Sequence, residues 1–198
     1  SLDPPDDYMG GRDFHDLDQA EDDVDDDEPP TKTVANSNEK AFVRSLVAGP
    51  DDLEARDREV LAALDAYVLS GAIKLFRAAA LGKPKLFRHH TMLVHESVTQ
   101  QNHAILASSI DGIWGRAGYK TAAGKQRLRT LWETDIFPVW TRRKDTDFAD
   151  LPMPKSFDEL VPYLGTAIGR MEDTGSPVIV VNGDKNSDYE KLDFQSKV

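Results

Sequence analysis

With 198 residues, 39% hydrophobic and 30% charged, the chain suits one core-forming domain, and it holds no apolar run near the roughly 20 residues that cross a bilayer. The absence of cysteine excludes a disulfide framework and a thiolate zinc site and agrees with a reducing cytoplasm. The net charge of −11 excludes less than its size suggests. Residues 1–30 hold 13 of the 35 acidic side chains against one base, Arg12, which leaves 22 acidic and 23 basic side chains elsewhere.

In chain order, "SLDPPDDYMGGR" is turn-like through its Pro, Asp and Gly. The run "AEDDVDDDEPP" repels itself and buries too little apolar surface to offset its ordering entropy. Residues 1–37 are therefore expected to be a solvated acidic linker, extended or disordered, ahead of a domain over 38–198. A mimic of nucleic-acid charge and a flap over a basic surface are the lesser alternatives. The opening Ser1-Leu2 and the closing "LDFQSKV" suggest a piece of a longer protein.

A helix is expected from Asn38 through "EKAFVRSLVAG", stopped by Gly49-Pro50. The clearest helical pattern spans Asp51 to Leu81, where Leu64, Val68, Ala72 and Phe76 recur at i+4 and Leu53, Leu61 and Leu75 widen the stripe. Gly71 within it disfavours the helix by about 1 kcal/mol against Ala and points to a close crossing by another backbone. "TMLVHES" is apolar without alternation and predicts a strand buried on both sides, as does Val178 to Val181 in "SPVIVVNGD". Between them, 98–114 predicts a helix with Ile105, Leu106, Ile110 and Ile113 inward, and 121–133 a second. Ser156 predicts an N-cap for "FDELVPYLGTAIGRM", with Glu159 completing a capping box and Pro162 kinking or breaking the helix. This order of helices and strands predicts an α/β fold, helix-rich, with a small or incomplete parallel sheet.

The chemistry-bearing residues divide into four groups. His89, His90, His95, Glu96 and His103 cluster, yet on a strand His90 and His95 face opposite ways, and His89 and His95 lie about 20 Å apart. No metal site is expected there. "GYKTAAGKQ" has the glycines of a phosphate loop at the wrong spacing, with Gln126 where a hydroxyl should hold magnesium. Asp184, Lys185, Asp188 and Glu190 could serve a nuclease but sit in a turn-rich segment that fixes no carboxylate pair. The fourth group is basic: Arg116, Lys120, Lys125, Arg127, Arg129, Arg142, Arg143 and Lys144 alternate with Trp114, Tyr119, Trp132, Phe137 and Trp140. Cations for phosphates beside aromatics for bases is the composition of a single-strand binding surface. Core tryptophans with a solvated arginine face would give the same composition.

Three stretches in order, "PPDDYMGGRDF" (4–14), "ALDAYVLSGAIKLFRAAALGK" with "HHTMLVHES" (63–97) and "VIVVNG" (178–183), carry a family resemblance. The chain resembles the Z-one domain of bacterial proteins described as endonucleases and associated with superfamily-two helicase modules. Glu96 departs from the family's apolar residue or Pro. The resemblance implies part of a second RecA-like helicase lobe with inserted helices. His95, Ser97, Thr99 and Gln101 at the exit of its first strand would then contact a nucleic-acid backbone, joined by the basic residues from Arg116 to Arg143. It also implies DNA and the parent's other domains as partners, with no membrane. ATP and magnesium would serve the whole parent, with no cofactor and no complete catalysis in this piece. The rival expectation is a protein-interaction module in a DNA restriction, defence or repair complex; a stand-alone nuclease comes third.

Overall fold

Helix α3, Leu53–Ala80, carries most of the architecture, and its ends follow directly from the sequence. Asp52 caps it by accepting from the Ala55 amide at 3.0 Å. At the far end Gly82 takes φ +63°, its amide bonds to the Ala79 carbonyl at 3.0 Å, and the Lys83 amide bonds to Ala78 at 2.8 Å. That pair of bonds is a Schellman stop, with Pro84 just beyond it. In this computed structural model the described residues are 9–17, 31–49, 51–87, 89–95, 100–145, 150–173 and 175–180.

The chain divides into two compact units, Ser1–Val47 with Asp135–Ala149, and Ala48–Thr134 with Asp150–Val198. The larger unit is built on α3. Its Leu64, Val68, Leu69 and Ala72 are buried, and helix α7, Phe157–Glu172, lies along them. Leu160, Leu164 and Ile168 recur at i+4 on α7 and are buried to 2% exposure or less, so the seam between the two helices is the dry centre of the unit. Helices α4, Gln100–Arg116, and α5, Ala122–Leu131, pack against α3 as well. Ile110, Ile113 and Trp114 are buried on α4, whereas Ile105 is 62% exposed and not inward as its spacing predicts. Leu53, at the solvated start of α3, is likewise exposed.

Pro162 does not break α7, which runs on to Glu172. It sits in the second turn, where its missing N–H removes one bond and leaves the rest of the ladder intact. Ser156 makes no side-chain cap, and Glu159 instead accepts from the Lys155 amide at 3.0 Å.

The smaller unit contains α1, Gly11–Phe14, α2, Asn38–Phe42, and α6, Phe137–Arg143. Asp16 organises it. This residue takes the left-handed φ of +52° and is buried, and its carboxylate accepts from the Ser37 hydroxyl at 2.6 Å and the Asn38 amide at 2.9 Å. Burial alone would raise its pKa, but those bonds and the Glu39 amide outweigh it and hold the carboxyl below its ordinary value. Helix α2 stops at Phe42, well short of Gly49, because the backbone becomes extended at the β-branched Val43. Helix α5 passes through a π-helical turn, Trp132–Ile136, before α6.

The expected α/β architecture is overturned. Among the described residues there is no strand and no bridge, so no parallel sheet and no part of a RecA-like lobe. Thr91 to His95 and Val178 to Val180 belong to neither helix nor ladder, and Val181 lies outside the described residues. The physical reason is visible in their exposure. Leu93 is 90% exposed and Ile179 43%, while the helices bury one another and close the core without a sheet.

Candidate functional site

The larger unit carries an apolar cleft of about 530 Å³. Its floor is the face of α3 bearing Tyr67, Gly71 and Lys74, which the i, i+4, i+7 spacing brings into one row. Leu106 and Ile110 of α4 and Met171 of α7 form its sides, and the irregular residues 89–95 and 177–180 form its rim. A volume in this range with a mostly apolar lining and few polar groups is the ordinary make-up of a binding site.

The rim is tied to the floor at one point. The His90 ring stacks on Tyr67 with centroids 4.3 Å apart and planes 4° apart. The Tyr67 hydroxyl donates to the His90 carbonyl at 2.7 Å, and His90 Nε2 lies 2.7 Å from the Tyr67 carbonyl. A carbonyl only accepts, so Nε2 carries the proton and Nδ1 of the neutral ring is an acceptor. That Nδ1 is buried without a partner. Burial lowers the His90 pKa and the nearby Lys74 ammonium lowers it further, against the opposing bond to Tyr67. Burial also raises the Tyr67 phenol and lowers Lys74.

Gly71 explains how the ring fits. A Cβ there would stand 2.7 Å from Met171 Cε and 3.0 Å from the His90 ring. The glycine thus makes room for two side chains, and the backbone crossing expected from the sequence is not what it serves.

Four of the basic residues, Arg116, Lys120, Arg127 and Arg129, meet carboxylates of their own unit. Arg127 forms a two-pronged pair with the buried Asp65, Nε to Oδ2 at 2.6 Å and Nη2 to Oδ1 at 3.0 Å, and also donates to the Ala117 carbonyl at 2.8 Å. Its hydrogen bonds with Asp65 raise the guanidinium pKa despite burial. Tyr119, buried beside them, has its phenol pushed far above the ordinary value, by burial first and then by the Asp65 carboxylate. Arg116 pairs with Asp57 at 3.2 Å, Lys120 with Glu172 at 2.7 Å, and Arg129 with Asp158 and Glu133. The Lys120 bond lowers the Glu172 carboxyl, aided by the Trp114 indole N–H. Lys125 is exposed on α5.

Arg142 and Arg143 fall in the smaller unit. Arg142 is exposed, and Arg143 is buried, donating to the Asn38 side chain at 2.7 Å and lying over the Phe42 ring. Trp114, Tyr119 and Trp132 are core side chains, while Phe137 and Trp140 are half-buried. His95 is exposed on the cleft rim with its ring edge toward His103. Ser97 and Thr99 lie outside the described residues, as do Asp184, Lys185, Asp188 and Glu190, and Gln101 is described only as part of the α4 backbone.

The glycines of "GYKTAAGKQ" form a tight helix junction. Gly118 takes φ +64°, its carbonyl accepts from the Thr121 amide and hydroxyl, and a Cβ on Gly124 would stand 2.1 Å from that carbonyl oxygen. Among the described residues no group of three His, Asp or Glu could hold a metal ion. With no sheet either, the described residues lend nothing to the expected reading as a hydrolase or endonuclease.

A family model, the Z1 domain, matches residues 59–198. The chain belongs to the Z1 domain family. The match takes in α3 from Glu59 onward, α4, α5, α7 and the whole cleft, so the site described above lies within the Z1 domain itself. No curated protein and no solved structure matches the chain. The Z1 identity expected from the sequence holds, with the stretches at 63–97 and 178–183 inside the match and 4–14 outside it, whereas the second-lobe role attached to it does not: a nucleic-acid path along strand ends needs a sheet, and the described residues form none. No helix among the described residues is long and apolar enough to cross a membrane.

Proposed function

We propose that this Z1 domain is a protein-interaction module whose cleft receives an apolar segment of a protein partner in a DNA restriction, defence or repair complex. The observation that carries the reading is the rim. Leu93, Val94 and Ile179 present large apolar side chains to water around a cleft that is itself apolar, which is the signature of a surface awaiting a partner. The resemblance to bacterial helicase-associated proteins supports a partner domain in the same polypeptide or a co-assembling subunit. A cytoplasmic setting fits a chain without cysteine.

Nucleic acid is the rival partner, and one experiment separates the two. A photo-crosslinking residue is placed at Leu93 or Val94, with Ala66 on the exposed side of α3 as control, in the full-length protein in its own cell. The expected outcome is a protein adduct from Leu93 and Val94, absent from Ala66 and lost with Ile179→Asp. Equal yields at all three positions, or adducts to nucleic acid alone, would refute the module.

A further inference from the structure

Two stretches of the cleft rim leave their backbone unused. Thr91, Met92, Leu93 and Val94 form no hydrogen bond among the described residues, nor do Ile179 and Val180 in the second stretch. Val178 bonds only to its near neighbour Ser176, whose hydroxyl accepts from the Val178 amide at 3.0 Å. Both stretches alternate in exposure with the two-residue period of extended chain. His90 and Met92 are half-buried where Thr91 and Leu93 are exposed, and Val178 and Val180 are half-buried where Ile179 is exposed. Val94 continues the pattern, with less than half the exposure of Leu93. Free N–H and C=O groups beside alternating apolar side chains are a template for one more strand, and folded proteins blunt such edges with charged residues or Pro. Residues 91–95 hold neither.

We infer that the partner segment received by the cleft docks as a β-strand, its backbone pairing with residues 91–95. The inference rests on the reading of the cleft as a protein-docking surface and specifies the form in which the partner binds. Backbone complementarity commits the occupant. A docked helix satisfies its own N–H and C=O groups and would leave those of residues 91–95 as they are. A strand supplies the missing donors and acceptors, and every second side chain of it turns inward, toward Met171, Leu106 and Ile110. The partner segment is therefore extended, with β-branched apolar residues alternating with polar ones. The sheet so formed belongs to the complex, and the domain alone needs none.

The clasp at His90 fixes one end of this edge. His90 is stacked on Tyr67 and bonded to it through both its ring and its carbonyl, so the residue just before the edge is held on α3. Thr91 to Val94 run on from that anchor without a tie of their own. A fixed start and an unpaired run let a strand add with little rearrangement of the domain. Leu93, 90% exposed, has the most to gain in cover.

The test uses the 198-residue chain and calorimetric titration with the acetylated, amidated pentapeptide Val-Thr-Val-Thr-Val, two N-methylated forms of it, and an amphipathic helical peptide of Leu, Glu and Lys. One form is methylated on the central Val amide and the other on both Thr amides. Each thus blocks donors on one edge of the strand and leaves every side chain unchanged. Pairing is expected to make at least one of the two forms bind about tenfold more weakly than the parent peptide. In the chain itself, Leu93→Pro removes an amide that Leu93→Ala keeps, and is expected to bind the parent about tenfold more weakly than Leu93→Ala does. A thermal melt confirms that both variants fold.

Binding of both methylated forms as tightly as the parent would overturn strand pairing and leave the docking surface standing. Binding of the helical peptide without the pentapeptide would do the same. Equal affinity of the two Leu93 variants would overturn residues 91–95 as the paired edge. No binding of any peptide would overturn both the strand and the docking reading.

Discussion

Helix α7 and the segment Met92 to Val94 are similarly apolar, yet the molecule treats them in opposite ways. Leu160, Leu164 and Ile168 are sealed against α3, while Leu93 and Val94 face water. The difference lies in the backbone. A helix satisfies its own N–H and C=O groups, so α7 needs only one apolar neighbour, and α3 supplies it. An extended segment needs a neighbouring strand for its backbone and a covering layer for its side chains. Residues 91–95 and 178–180 have neither among the described residues. The closed seam gives the domain its stability, and the open rim gives it a surface to offer.

Variants of the two regions should therefore separate sharply. A large loss is expected at the buried ion pair that joins α3 to α5. Asp65→Ala strands the Arg127 guanidinium, for about 3 kcal/mol by urea unfolding, at the lower end for buried pairs because that side chain is a third exposed. The joint replacement Asp65→Leu with Arg127→Met should recover much of it. Leu164→Ala in the seam is expected to lose about 2–5 kcal/mol as a cavity opens. Gly71→Ala pushes a methyl toward Met171 and the clamped His90 ring and should lose about 1–3 kcal/mol. If Gly71→Ala is neutral, the rim is not held to α3 in the way described.

Acid should act on the tie between the regions. Because the folded His90 pKa lies below its unfolded value, the unfolded state binds more protons between the two. Stability from this group is complete above about 6.5 and falls as pH drops through that value toward the folded pKa. His90→Phe should flatten that part of a pH-stability curve. The smallest effect belongs to the rim itself: Leu93→Ser should change stability by no more than about 0.5 kcal/mol. A loss like that of Leu164→Ala would show that Leu93 is buried after all.

Much of the helical part was legible in the sequence. The i+4 stripe on α3, the Gly82-Pro84 stop and the apolar face of α7 each correspond to an element found. The two apolar runs misled, because three or four apolar residues in a row state a demand for burial and not its form. A sheet would meet that demand, and so would a partner. Helix α2 was overextended because Gly49-Pro50 is a stop signal, while Val43 had already turned the backbone.

In the basic stretch, composition cannot show whether an arginine faces phosphate or an internal acid. Asp65, 62 positions before Arg127, is the partner that decides it. Of the cleft, Gly71 gave a sign through an isolated glycine in a strong helix, and His89, His90, His95 and His103, which line it, stood out only as rejected metal ligands. Tyr67 and Lys74 read as ordinary helix residues until His90 is seen lying across them.

Amide hydrogen exchange on the 198-residue chain tests the contrast most directly. The amides of α3 and α7 between Leu64 and Ile168 that lie on the seam are expected to exchange slowly. Those of Met92 to His95 and Val178 to Val180 are expected to exchange nearly as fast as in free peptides, and to slow once the cleft is occupied. Slow exchange of both extended segments in the isolated chain, matching α3, would mean that they are already paired, and would contradict the account.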